Sequence, residues 1–507
     1  MTDIEHPPEK LDENAATIDH MQQASQDYIQ PQIVQVNKTE SEGPRFEAEI
    51  GNINNRIEKH KGLLAPDHWL PADVVAEIFL AAIDDNLQWF SFPTVQGVTT
   101  SLALSQICSV WRDVALSTPR MWLRLELGMS EELAYPLAKH WFSHSGDALP
   151  LSLTCFGTTM MLLGIVIPYM SRWQQLDLDT SETSRISISH NGSFALLEAL
   201  TLRFDRAPTT SIVEIFFTDA PSLRRLCLPV QELEEGTLIS MRTLPIILPW
   251  HQLTHYESGH LCDVEGALGQ LSLCPNLKEC RMAVGRELGL GVHSAQVWLP
   301  QLRSLHLKCS GYVSSLLANL YLPILQDFKF TGYQICMPSW PAVFTQMIRQ
   351  SGCSIERISI KNIFTEPEFF IEALHLMPEL RELELIQEAD WTYHTAHRYL
   401  NEDGLSSLME SGQPESELLV PALESLKMEG DFLLKSFRLV DLVESRWNLR
   451  NAGGGSVKQL RTAQIPIPRN DLGGSLTKRL EKMQTEGLDL TIMPYDPVVM
   501  VPGILFP

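Results

Sequence analysis

The feature that most constrains this chain is a repeated pattern, Pro-x-Leu-x-x-Leu-x-Leu. It stands at Pro221 to Leu228, at Pro300 to Leu307 and at Pro378 to Leu385. Weaker copies begin at Trp173, Leu197, Leu253, Leu277, Leu325, Ile355, Leu423 and Val457. From 173 to 380 the leading apolar residues fall at 173, 197, 223, 253, 277, 302, 325, 355 and 380, in steps of 23 to 30 residues. By length alone, 507 residues would suggest about three ordinary domains. A period sustained this long instead predicts one small unit stacked many times.

The period also says what the unit is. Leu-x-Leu alternates at the two-residue spacing of a strand, which sends both leucines to one face and their neighbours to the other. Segments such as Asp263 to Leu273 and Val343 to Arg349 then return the chain as helix or irregular coil. A lone unit cannot bury its apolar face, whereas stacked units share a continuous core. The step of about 26 residues lies in the leucine-rich-repeat range. The expected fold is therefore an α/β solenoid, a leucine-rich-repeat horseshoe with a parallel sheet, over residues 126–492. The polar stretch 388–414, where the step from Leu380 to Leu423 grows to 43, reads as an inserted loop. Gly453 to Gly455 form a further break, Ser475 to Thr485 a last helix, and 493–507 an irregular end.

Before the repeats, residues 1–45 show no period and read as a disordered tail. Residues 46–66 hold Ile50, Ile53 and Ile57 on one face of a short helix. Residues 67–125 form a small all-α module of three short helices. Leu70-Pro71 opens the first, and Val74, Val75, Ile78 and Phe79 make its apolar stripe. Ile107, Val110, Trp111, Val114 and Ala115 repeat the helical spacing before Pro119. A module this small has a marginal core and leans on a neighbour or a partner.

The string Leu70-Pro71-x-Asp73-Val74-Val75-x-Glu77-Ile78-Phe79, followed by Ile107-Cys108-x-x-Trp111-Arg112-x-Val114-Ala115 and Pro119-Arg-Met-Trp122, resembles an F-box. The segment from Asp84 to Thr99 is longer than the usual loop between the first two F-box helices. The junction Trp141-Phe-Ser-His144-Ser145-Gly146, followed by Pro150-Leu-Ser-Leu153 and by Arg172-Trp173, resembles fungal-type F-box proteins with leucine-rich tails, with His144 where Arg is usual. The resemblance implies docking on a Skp-family adaptor of a cullin-RING ubiquitin ligase. Leu70, Pro71, Val74, Ile78, Phe79, Cys108 and Trp111 would then be at or near the adaptor surface, and the repeats would hold a target protein. The alternative is a leucine-rich-repeat binding scaffold with no ubiquitin role, in which the helices merely cap the array.

Composition narrows the chemistry. Thirty-nine Lys and Arg against 62 Asp and Glu give a net charge of −23, which argues against nucleic acid as a partner. No apolar run reaches the roughly 18–20 residues of a membrane helix, and the acidic start carries no signal-peptide pattern, so a cytoplasmic or nuclear address without membrane association is expected. Nine cysteines without a CxxC pair suit reduced core thiols. No Walker loop, GxSxG, GxGxxG or HExxH occurs, and Gly285-x-x-x-Gly289-x-Gly291 reads as a turn. His251, His255, His260, Cys262 and Asp263 would diverge on a strand and loop, and His140 and His144 have no third ligand. No catalytic residue, metal or cofactor is expected, and the chain reads as a non-catalytic subunit.

The alternation rule also selects the outward positions of repeats 197–361. They carry Arg203, Arg225, Arg281, Lys308, Lys329, Arg357 and Lys361 against Glu257, Glu279 and Asp327, and Glu382 and Glu384 of the next repeat reverse the sign. The expectation is an acidic target held by Arg281, Lys308, Lys329, Arg357 and Lys361. A slip of one residue would exchange the two faces and cancel it, and solvated charges with no ligand are the other reading.

Overall fold

The computed structural model describes residues 23, 26–32, 70–89, 100–127, 131–156, 161–179, 192–203, 215–217, 219–229, 246–285, 296–311, 313–336, 340–364, 366–387, 400–409, 418–430, 432, 434–448 and 457–495. They form an α/β architecture, N-terminal helices followed by an extended parallel sheet. Two compact units are distinguished, one drawn from residues 1–123 and 140–149, the other from 124–139 and 150–507.

In the first unit, α1 (Ala72–Trp89), α2 (Thr100–Ile107) and α3 (Ser109–Leu116) are followed by a 3-10 turn at Pro119–Trp122. Pro71 suits the start of α1, because it has no N–H to leave unpaired and its carbonyl accepts from Val75 N–H at 3.1 Å. Asp73 adds a negative charge in the first turn, where the helix dipole favours it. Helix α1 continues through the first part of the expected loop, to Trp89. Val75, Phe79, Val114, Ala115, Met121 and Trp122 are buried, and Trp122 donates its indole N–H to Ala115 O at 2.7 Å. Its ring meets Trp141 edge-on at 4.7 Å. Residue 146, a glycine at φ 67, turns the chain out of this core.

Among the described residues, the second unit holds a sheet of fourteen strands in chain order, and every pairing in it is parallel. They are β1 (Arg124–Leu127), β2 (Leu151–Cys155), β3 (Trp173–Asp179), β4 (Ala199–Arg203), β5 (Arg225–Leu228), β6 (His255–Cys262), β7 (Glu279–Val284), β8 (Ser304–Cys309), β9 (Asp327–Cys336), β10 (Arg357–Phe364), β11 (Glu382–Ile386), β12 (Ser425–Glu429), β13 (Thr462–Pro468) and β14 (Asp489–Tyr495). The chain returns between strands through helices, among them α4 (Glu131–Ser143), α5 (Met161–Val166), α6 (Val264–Ser272), α7 (Ser314–Ala318), α8 (Trp340–Ser351), α9 (Pro367–His375), α10 (Glu402–Leu408), α11 (Ser436–Trp447) and α12 (Ser475–Thr485).

The leading leucines have a structural reason. Leu197, Leu223, Leu253, Leu277, Leu302, Leu325, Leu380 and Leu423 each donate their N–H three residues back, closing a turn just before the strand. Each of these leucines is buried. The inward rows follow, with Leu200, Leu226, Leu305, Phe328, Ile358, Leu383 and Leu426 buried in one and Leu202, Leu228, Leu307, Phe330, Ile360, Leu385 and Met428 in the next. Helices close the other side: Phe344 of α8 stacks on Phe328 at 4.5 Å, and Trp340 meets Phe330 at 5.2 Å.

Several boundaries differ from the expectation. Residues 26–32 are helical within the expected disordered tail, where Ile29 is buried and Gln23 bonds Asp27 one turn on. The helix expected in 46–66 lies outside the described residues. Strand pairing begins at Arg124, inside the helical module as bounded at 125, because Leu125 and Leu127 already alternate inward. Helix α10 stands within the expected loop 388–414, and its cap, Asn401, accepts from Gly404 N–H at 2.8 Å. Strand β14 runs to Tyr495, past the expected end at 492, because its pairing with β13 continues to Pro468. No helix among the described residues is long and apolar enough to cross a membrane.

Candidate functional site

Two surfaces carry the residues singled out in the sequence. The first is on the helical unit. Val74 and Ile78, four residues apart, share one face of α1, and Leu70 stands just before the helix. All three are open to solvent, as are Ile107 and Val110, with exposures between 40% and 57%. Pro71 is exposed as well. Val75 and Phe79 are turned the other way, into the core, so α1 is apolar on both sides. These apolar side chains left in water make this face a candidate contact surface.

Phe79, expected at or near the adaptor surface, faces the core instead of solvent. It is fully buried and meets Trp111 edge-on at 4.9 Å, joining α1 to α3. Cys108 and Trp111 are half-buried. Cys108 is the N-cap of α3, its sulfur accepting from Trp111 N–H at 3.4 Å, so it supports the surface by fixing where one helix ends and the next starts. Ile107 and Val110, read in the sequence as part of one continuous stripe, are the additions. The break at Cys108 separates their helices and leaves both side chains outside.

The second surface is the outward face of the parallel sheet. Neighbouring strands align in the expected register: Glu279, Ser304, Asp327 and Arg357 form one row, and Arg281, His306, Lys329 and Ser359 the next. Ala283, Lys308, Thr331 and Lys361 continue a third row. Arg281, Lys308, Lys329, Arg357 and Lys361 thus share one face. One position departs from the plan. The pairing of β6 with β7 shifts between Ser258 and Leu261, so Leu261 rather than Gly259 stands opposite Ala283, and Ala283 is buried.

The charges of this face divide into paired and unpaired. Arg203 meets Asp177 at 2.5 Å, Arg281 meets Glu257 at 3.1 Å, and Arg357 meets Asp327 at 3.7 Å. Neither Lys308 nor Lys329 has a carboxylate within ion-pair distance among the described residues. His306 lies between them, with Nε2 and the Thr331 hydroxyl 3.2 Å apart. Burial, with Arg281, Lys308 and Lys329 around it, pushes the imidazole down to about 4, which keeps it neutral near pH 7. At the edge of the patch, burial works against the Glu384 carboxylate, but hydrogen bonds from Lys427 and Ser359 outweigh it and hold its pKa below the usual value.

The histidine and cysteine cluster runs along β6 and the residues on either side of it. His255 and His260 are strand residues of β6, and His260 is buried and pushed down to about 4 by that burial. Burial pushes the Cys262 and Cys274 thiols up to about 12, so both are protonated and unreactive at neutral pH. The side chains of His140 and His144 meet each other at 4.8 Å between ring centres. Among the described residues no group of three His, Cys, Asp or Glu could hold a metal ion. The turn expected at Gly285 to Gly291 lies largely outside the described residues. No protein-family model matches the chain, and no curated protein matches it.

Proposed function

We propose that the chain is the substrate-recognition subunit of a cullin-RING ubiquitin ligase, in which the helical unit is an F-box docked on a Skp-family adaptor and the strand-and-helix repeats are a leucine-rich-repeat solenoid that receives the target protein. In this reading the chain is non-catalytic: it brings a target to chemistry done by other subunits. The observation that supports it most is the water-exposed row Leu70, Val74 and Ile78 with Ile107 and Val110, on a unit whose own core already holds Phe79 and Trp122. Each of those five residues leaves about half of its surface in water, and together they supply what an apolar helix-packing interface needs.

The test is capture of a purified Skp-family adaptor by the full chain. Covering one Leu, Val or Ile contributes about 1.5–3 kcal/mol, and each 1.4 kcal/mol is about tenfold in affinity. Leu70→Asp, Val74→Asp and Ile78→Asp together should lower capture by well over tenfold while the melting temperature stays near that of the unmodified chain. Equal capture by the folded triple variant would contradict the proposed surface. Failure of the unmodified chain to bind any such adaptor would favour the scaffold reading.

A further inference from the structure

The sheet face is more specific than its overall charge suggests. In the second and third outward rows of β7 to β10, the eight positions are Arg281, Ala283, His306, Lys308, Lys329, Thr331, Ser359 and Lys361: four cations and no carboxylate. The acids of those same strands, Glu279 and Asp327, stand in the first row, and Arg357 beside Asp327 answers one of them. Along the second row the cations end abruptly, at Glu257 on β6 and at Glu384 on β11. The result is a positive field three strand spacings wide, or about 14 Å, on a chain whose net charge is −23.

Its composition is also selective. Arg281 is already answered by Glu257. Lys308 and Lys329, on adjacent strands and one row apart, have no acid within ion-pair distance among the described residues. Between them the neutral His306 and the Thr331 hydroxyl supply hydrogen-bonding groups without a further charge. A long polyanion such as a nucleic acid would meet the flanking Glu257 and Glu384, and repulsion there would offset what the lysines gain. An extended peptide covers about 3.3 Å per residue, so four or five residues span the patch.

We infer that the face centred on His306, Lys308 and Lys329 docks a short acidic peptide segment of a partner protein, with clustered Asp or Glu side chains lying across β7 to β10. This deepens the target-binding half of the proposed function. Measured directly and without the adaptor, it fails separately from adaptor capture.

The experiment uses the full chain and a fluorescent peptide of five consecutive Glu residues flanked by Gly and Ser, read by anisotropy. The matching peptide with five Gln residues and a single-stranded DNA of ten nucleotides are compared under the same conditions. The Glu peptide should bind at least tenfold tighter than the Gln peptide, and more weakly as salt rises. Lys308→Glu with Lys329→Glu should cost at least a further tenfold, with adaptor capture unchanged. Lys427→Glu, a variant beyond Glu384, should cost less than threefold and shows that the effect is local. The inference is overturned if the Glu and Gln peptides bind alike, if the double variant of the folded chain binds like the unmodified one, or if the DNA binds tighter than the peptide.

Discussion

Gly430 and Gly487 make a matched pair. Both have φ above 100°, a region that favours glycine. A Cβ at Gly487 would meet nothing within 4 Å, whereas one at Gly430 would fall 1.8 Å from Gln387 O. Gly487→Ala should therefore cost only the backbone strain of about 1–3 kcal/mol. Gly430→Ala must also push β11 and β12 apart and should lower the melting temperature clearly further. Equal melting shifts for the two would contradict the close approach at Gly430. A second residue-scale expectation concerns acid. His260 and His306 have folded pKa values near 4, below the ordinary 6.5. The unfolded chain then binds more protons between those values, so stability is fully present above about pH 6.5 and is lost as pH falls toward 4. His260→Gln with His306→Gln should flatten the pH dependence of melting between 6.5 and 5. An unchanged slope would show that these two histidines do not set it.

At the scale of elements, most of what the sequence made legible rests on alternation. The leucines of Pro221–Leu228, Pro300–Leu307 and Pro378–Leu385 pointed inward where expected, and the outward rows followed from them, because a two-residue period leaves no choice once one face is apolar. The bulge between Ser258 and Leu261 was not legible. It depends on backbone pairing with β7, and a local pattern does not encode its partner. The boundary between α2 and α3 was not legible for a related reason: the apolar spacing runs on from Ile107 to Val110 across Cys108, while the break comes from a cap. Helix α10 escaped because its seven residues are too few to establish a period. The structure shows how that insertion is held. Arg446 of α11 is fully buried and donates to the carbonyls of Leu408, Val420 and Leu419, while Arg438 reaches Glu402 at 3.0 Å and Ser406 at 2.7 Å. Each carbonyl left unpaired in a core costs about 1–3 kcal/mol. Arg446→Met should speed hydrogen exchange at residues 402–409 and 419–423 and leave β7 to β9 nearly unchanged, since each repeat answers mainly to its neighbours. Uniform acceleration across the sheet would contradict that local role.

For the whole molecule, fourteen strands in strict chain order explain how one short motif generates a surface. Similar turns before eight of the strands and in-register pairing along the sheet make a residue type placed at one outward position into a row. The sequence placed the start of this array at 126, two residues from the first paired strand, and revealed its pattern only from Trp173 on. Strands β1 and β2 fall at the start of the expected solenoid but were not among the copies of the pattern, because neither has the Pro-x-Leu lead, although Leu125, Leu127, Leu151 and Leu153 bury the same rows. On the candidate site, residue types were legible and burial was not: Phe79 belongs to the core, and Ile107 and Val110 belong to the surface. The proposed role depends above all on that helical surface. The most direct measurement is light scattering on the full chain mixed with a purified Skp-family adaptor as it leaves a sizing column. The account predicts a single one-to-one complex that the Leu70→Asp, Val74→Asp, Ile78→Asp variant fails to form; two separate peaks with the unmodified chain would contradict it.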